Sequence, residues 1–356
     1  MAATTDHSAD DQATRRAREP GVPPRPLVAL ASVLLAAGTG VAIWLLPGRT
    51  DGDWAGRPGT GAAPAPATGA TAGRTAEQGA APAVARPSGF VTFVDAVRDP
   101  LFDLPKVARK SRVHWFTVGH LTAGHHGCVP RWGGTREQDG APVADRLGRL
   151  RAAGGDAGLA FGGPAGRELA AACADQARLT AAYRQAIRAF DASYIDFELH
   201  DRADAATVFR RARAIATLQR EAARAGRPLT VSFTLPVTAA GLSRSDQEML
   251  RATRAAGAEI AAVNLLTPVD HGAGGQRRLL PVASAVRSAQ PQIARSLGES
   301  AAWHRIALTP VLTGSGDLTE GDARKLLAFT NRNNLAWLSA RGAALTPDVT
   351  RFLAAQ

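Results

Sequence analysis

The residues best suited to chemistry sit in one short run, SYIDFELHD (193–201). In an extended strand, residues two apart share a face. Tyr194, Asp196, Glu198 and His200 then point one way, and Ile195, Phe197 and Leu199 the other. Burying two carboxylates and an imidazole costs several kcal/mol unless they are paired. A polar row rising toward a strand's C-terminal end is what the mouth of a barrel active site requires. The plainer alternative is a satisfied internal polar network.

Such a row needs a scaffold. Short apolar runs alternate with amphipathic ones from residue 88 onward. Strands are predicted at 90–97, 112–121, 157–163, 193–200, 229–237, 259–269, 305–314 and 334–341. Helical stretches lie between them, among them 143–154, 166–190, 205–226 and 245–257. Strict alternation argues for a parallel sheet closed into a (β/α)8 TIM barrel, an α/β fold. The span 88–356, about 270 residues, is near the ~250 typical of that barrel. A doubly wound open sheet is the alternative, but no Gly-rich phosphate loop follows the first strand.

The N-terminal quarter is built differently. Residues 1–26 are polar and charged and read as a cytoplasmic tail. Residues 27–46, LVALASVLLAAGTGVAIWLL, are uncharged and apolar. Such a run can cross a hydrocarbon core of ~30 Å. Basic residues precede it, so the N-terminus is expected inside the cell membrane and the barrel outside. A cleaved signal peptide is the alternative, but no small-x-small site follows at once. Residues 47–87 are rich in Ala, Pro, Gly and Thr and read as an extended linker.

Charge narrows the partners. The chain has 42 Lys plus Arg against 31 Asp plus Glu, a net charge of +11. Nearly all of the positive charge is Arg, and it is scattered rather than clustered, which argues against a nucleic-acid surface. Two cysteines, Cys128 and Cys173, exclude a disulfide scaffold and a four-cysteine zinc site. Both fall outside the membrane on this topology, where a disulfide is permitted; two separate buried thiols are the alternative. His120, His125, His126, His200 and His271 would all lie near one end of a barrel. A metal site is geometrically conceivable there, but no compact HxH or HxxxH pair supports it, and no metal or other cofactor is expected. A purely structural surface module is a third reading.

Several ordered motifs carry a family resemblance. GCVPRWGG (127–134), AFGGPAGRELAAACAD (160–175), TLPVTAAGL (234–242), AAVNLLTPVDHG (261–272) and DARKLLAFTNRNNLAWLSAR (322–341) accompany the 193–201 strand. Together they resemble the bacterial chitinase-like group of glycoside hydrolase family 18. The resemblance implies a TIM barrel that acts on glycans containing N-acetylglucosamine, such as chitin. It implies Trp337 as the sugar-stacking tryptophan. It implies Trp132, Tyr194, Asn264 and the Asp270–His271 pair as further substrate contacts.

The family's DxxDxDxE strand also implies a mechanism. Its Glu protonates the glycosidic oxygen, while the neighbouring Asp orients the substrate's own acetamido group, which attacks the anomeric carbon. Laid on this chain, the motif puts Ser193, Asp196, Glu198 and His200 at its four positions. The catalytic motif is therefore degenerate, with an imidazole where the acid should be. General acid assistance is worth roughly 10²–10⁴ in rate, and imidazole donates protons well only toward acid pH. The expectation is a glycan-binding barrel with weak or absent hydrolysis. An active enzyme using a displaced acid is the alternative.

Overall fold

The alternation seen in the sequence has a direct structural cause. Each strand buries apolar residues on its outer face, and each following helix covers them. A computed structural model describes residues 86–136, 140–270, 275–300 and 302–355. The tail, the candidate membrane span 27–46 and nearly all of the linker lie outside the described residues. Among the described residues no helix is long and apolar enough to cross a membrane.

In chain order the elements are β1 (Phe90–Asp95), α1 (Leu104–Ser111), β2 (Trp115–Ala123), β3 (Pro130–Trp132), α2 (Gly140–Ala152), β4 (Asp156–Gly162), α3 (Leu169–Ala172), α4 (Gln176–Ala189), β5 (Tyr194–Glu198), α5 (Ala205–Arg224), β6 (Thr230–Pro236), α6 (Arg244–Ala255), β7 (Ala262–Pro268), α7 (Leu280–Leu297), β8 (Ile306–Leu312), α8 (Glu320–Asn333), β9 (Leu338–Gly342) and α9 (Pro347–Ala354). The eight predicted strands are present. They pair in parallel in the order β1-β9-β8-β7-β6-β5-β4-β2, and β1 also pairs with β2, which closes the ring. This is a (β/α)8 barrel.

Two local features differ from the sequence reading. β3 is a short antiparallel strand that folds back on the end of β2, with Leu121 opposite Trp132. Three residues are too few to show a period of two. The stretch 166–190 forms two helices, not one. It breaks at Cys173, which is bonded to Cys128 with a Cα–Cα distance of 4.7 Å. Asp175 then caps α4, accepting from the Arg178 backbone N–H at 2.7 Å. The disulfide joins the β2–β3 loop to the segment between α3 and α4.

The main core lies between the sheet and the helices. Phe197 on β5 stacks between Phe161 and Phe233 of the neighbouring strands at centroid distances of 5.6 and 5.5 Å. Tyr183 of α4 meets Phe161 and Phe197 edge-on. Each such burial is worth roughly 1.5–3 kcal/mol. With Phe197 and Ile195 committed outward, Tyr194, Asp196 and Glu198 must face the lumen. The loop 199–203 is kept short by Asp204, whose carboxylate accepts from the Thr207 backbone N–H at 2.7 Å and starts α5. Removing a cap of this kind costs about 1 kcal/mol.

Candidate functional site

The lumen holds two polar layers, stacked along β5. The lower layer centres on Asp196, which is 2% exposed. Thr234 donates to its Oδ2 at 2.7 Å, and Ser232 donates to Oδ1. Ser232 in turn accepts from the Tyr194 hydroxyl at 2.7 Å. Thr234 accepts from Asn264 Nδ2 at 3.0 Å, and Thr309 donates to Asn264 Oδ1 at 2.7 Å. These donors and acceptors come from four neighbouring strands, β5, β6, β7 and β8, so the network forms only once those strands pair in register. Burial pushes the Asp196 carboxyl up to about 6, against the opposing hydrogen bonds from Ser232 and Thr234.

The upper layer centres on Glu198, the last residue of β5, also 2% exposed. Its Oε2 accepts from His120 Nε2 at 2.9 Å and from Arg341 Nη2. Its Oε1 accepts from His200 Nε2 at 2.9 Å. Arg341, on β9, lies with its guanidinium carbon 3.3 Å from the centroid of the Phe93 ring. His120 packs on the same ring with centroids 4.8 Å apart. Burial alone would raise the Glu198 carboxyl. The hydrogen bonds from His120 and His200 and the charge of Arg341 overcome that and hold it well below the usual carboxylate range. Burial also lowers Arg341, while Glu198 and Asp196 act in the opposite sense. Arg341 remains a cation because guanidinium does not deprotonate in proteins.

The predicted site residues fall into three groups. Tyr194, Asp196, Asn264 and Trp337 gather in and around the lower layer, and Glu198 and His200 meet in the upper one. His200 lies just beyond the end of β5, and its ring turns back to Glu198 with its side chain 30% exposed. Trp132 does not provide the expected sugar platform. It is 4% exposed and packs against Phe190 in the core, because β3 folds its side chain inward. Trp337 is 5% exposed and meets Tyr194 edge-on at 6.1 Å. Its face is covered, so stacking a sugar on it requires the lumen to open. Asp270 is exposed at the end of the segment after β7, and His271 lies outside the described residues. Among the described residues no group of three or more His, Cys, Asp or Glu side chains is placed to hold a metal ion.

The lumen is nearly full. The cavity beside Tyr194, Asp196, Trp337 and Arg341 measures about 10 Å³, roughly room for one water. Small-molecule pockets usually hold at least ~300 Å³. Arg341 and Phe93 take up the space above Asp196. A second cavity of about 150 Å³ opens beside Glu198 and His200, between the segments 162–171 and 198–203. A larger one, about 340 Å³, is lined by Ser193 and Leu229 near the starts of β5 and β6, away from both carboxylates.

Sequence reasoning missed Arg341 as a partner of Glu198. The two are 143 positions apart, and no local spacing links them. The usable signal was weak: an Arg at the end of the last predicted strand, where an inward side chain reaches the mouth. The sequence marks His120 only as one of several histidines near the mouth.

The chain is 28% identical over 186 residues to the probable bifunctional chitinase/lysozyme of Escherichia coli (strain K12), a match covering 51% of this chain and 21% of that protein. It is 28% identical over 187 residues to endochitinase 11 of Metarhizium anisopliae, covering 51% of this chain and 35% of that protein. The chain thus spans about a fifth to a third of the length of these relatives. The barrel superposes on the catalytic domain of the Pyrococcus furiosus chitinase with a TM-score of 0.64 at 19% identity, covering 76% of this chain and 95% of that one. A Cycas revoluta family 18 chitinase, in complex with (GlcNAc)3, gives a TM-score of 0.55 at 11% identity, covering 75% of this chain and 98% of that one. No protein-family model matches the chain.

Proposed function

Taking the chain as a chitinase-like barrel of glycoside hydrolase family 18, we propose that it binds a glycan containing N-acetylglucosamine and hydrolyses it weakly or not at all. One observation carries the reading: the buried Glu198 carboxyl is tied at contact distance to Arg341, His120 and His200, which favours its ionised form. A general acid must hold a proton and reach the leaving oxygen. Glu198 is held without a proton, and His200 directs its Nε2 at Glu198. The nearly full lumen works in the same direction, since a sugar ring above Asp196 would have to displace Arg341. Binding requires less than catalysis does, namely a few convergent polar groups at the barrel mouth. The relatives add support, because a Cycas revoluta chitinase of the same fold holds (GlcNAc)3.

The proposal includes the setting. The barrel is carried outside the cell on the 47–87 linker, anchored by a single pass through 27–46 with the N-terminus inside. The Cys128–Cys173 disulfide supports an oxidising compartment.

A second reading has one observation in its favour. Asp196, pushed up to about 6, keeps a proton nearer to neutral pH than an ordinary Asp, which is how catalytic acids are tuned. In that reading slow hydrolysis persists and fades as pH rises through about 6.

Both readings meet in one experiment. Purified barrel is offered labelled chito-oligosaccharide between about pH 4 and 8, with binding titrated in parallel. The expected result is saturable binding with turnover at least about 10²-fold below that of an ordinary chitinase. Turnover at ordinary levels would overturn the proposal. Slow turnover with a midpoint near 6, lost in Asp196→Asn, would favour the second reading.

A further inference from the structure

The cavity of about 150 Å³ beside Glu198 and His200 has a feature that the glycan-binding reading leaves unused. Arg211 of α5 lines it and is 1% exposed. Its Nη1 donates to Glu168 Oε2 at 3.0 Å. Glu168 also accepts from the Tyr183 hydroxyl at 2.7 Å. The Nε and Nη2 groups of Arg211 are buried without a hydrogen-bond partner. Unpaired donors on a buried cation are costly; Arg341 has the same pattern at Nε and Nη1, but beside a cavity of only about 10 Å³. A planar guanidinium presents its N–H groups as a fork whose natural complement is a carboxylate.

The surroundings agree with an acidic guest. The acids lining the cavity are Glu168, Glu198 and Asp201. Glu168 is neutralised by Arg211, and Glu198 by Arg341. That leaves Asp201 against Arg167 and Arg202 on the same rim. Gly162 and Gly163 form one wall with left-handed φ values of 88° and 99°; a Cβ would meet the Glu198 carbonyl oxygen at the first and the His120 ring at the second, so glycine lets the wall pack this closely. The cavity volume is about half of the ~300 Å³ at which pockets begin to hold a whole small ligand. It suits a substituent rather than a sugar ring. Glu198 and His200 are part of its wall, so a glycan lying across the barrel mouth would carry its substituents past it.

We propose that this cavity is a subsite for a carboxylate borne on the glycan, so that the preferred ligand is an acidic, N-acetylglucosamine-containing polymer rather than neutral chitin. Arg211 receives the carboxylate through Nε and Nη2, and Arg202 and Arg167 supply the field at the rim. The proposal rests on the glycan-binding reading above and names its substrate class. The carboxylate could belong to a lactyl ether, as in a muramic acid sugar, or to a uronic acid.

The test is calorimetric titration of the full, disulfide-bonded protein with four tetrasaccharides. These are (GlcNAc)4, a GlcNAc–muramic acid oligomer, the methyl ester of that oligomer, and a GlcNAc–glucuronate oligomer. An acid is expected to bind about tenfold more tightly than its ester, and the tighter of the two acids identifies the source. Arg202→Ala, on the exposed rim, should shrink the acid-to-ester ratio without altering the fold. Arg211→Lys keeps a charge for Glu168 but loses the fork, and should bring the ratio close to one. Equal affinity for acid and ester, or a ratio unchanged in both variants, overturns the subsite. If (GlcNAc)4 binds and the acids bind no better, only the subsite falls. If none of the four binds, the glycan reading falls with it.

Discussion

Asp196 and Glu198 stand two residues apart on one strand, equally buried, and their surroundings drive them in opposite directions. Asp196 is met by two hydroxyls and sits above its ordinary value. Glu198 is met by a guanidinium and two imidazoles and sits far below. Burial is the same in both, so burial alone does not decide protonation. Hydroxyl donors soften the cost of a buried carboxylate without reversing it, whereas a full positive charge at contact distance reverses it. The strand thus carries one carboxyl pushed toward its protonated form and, two residues on, one held toward its anion.

The largest effect expected from breaking this contrast is in the upper layer. Glu198→Ala leaves the Arg341 charge with no anion in contact. The loss of stability should reach about 3–5 kcal/mol, measured by urea unfolding at pH 7. The loss should shrink as pH falls below the ordinary Glu value of 4.5, because wild-type Glu198 contributes stability that is present above that value and fades toward its lowered folded-state pKa. A loss that is flat with pH would mean the cluster is packing, not charge.

The lower layer should respond with the opposite sign. A raised folded-state pKa means that wild type is favoured while Asp196 is protonated and loses stability as pH climbs from 3.8 to about 6. That window corresponds to about 3 kcal/mol. Asp196→Asn does not ionise, so its stability relative to wild type should improve by up to that amount between pH 3.5 and 7. Parallel curves for variant and wild type would show that Asp196 is not perturbed.

The smallest expected effect is the most informative about chemistry. His200→Glu should raise turnover of a chromogenic chito-oligosaccharide by up to about 10²-fold, with Glu198→Asp adding to it. If His200→Glu is inert but the double variant with Arg341→Ala hydrolyses, the full lumen is the limiting feature rather than the missing acid. If neither variant gains activity, the comparison with a family 18 hydrolase strand fails at this position.

Much of this is legible in the amino-acid sequence. The alternation of apolar strands and amphipathic helices sufficed for eight strands and the closed barrel. The two-residue period of 194–198 was enough to separate lumen-facing from helix-facing side chains, and Phe197 and Asp196 fall as expected. Short features escaped, because β3 spans three residues and the break between α3 and α4 depends on a distant cysteine. Trp132 escaped as well: an aromatic in a turn motif gives no sign of whether its ring faces solvent or Phe190.

The sequence by itself therefore determined the fold class, the inward polar row and the imidazole at the end of β5, because periodicity and residue type are local properties. The tertiary structure decided which charges meet. Only barrel closure brings β9 beside β1 and sets Arg341 and Phe93 over the lumen. A carboxylate's protonation state depends on what lies within a few ångströms, whatever the distance along the chain.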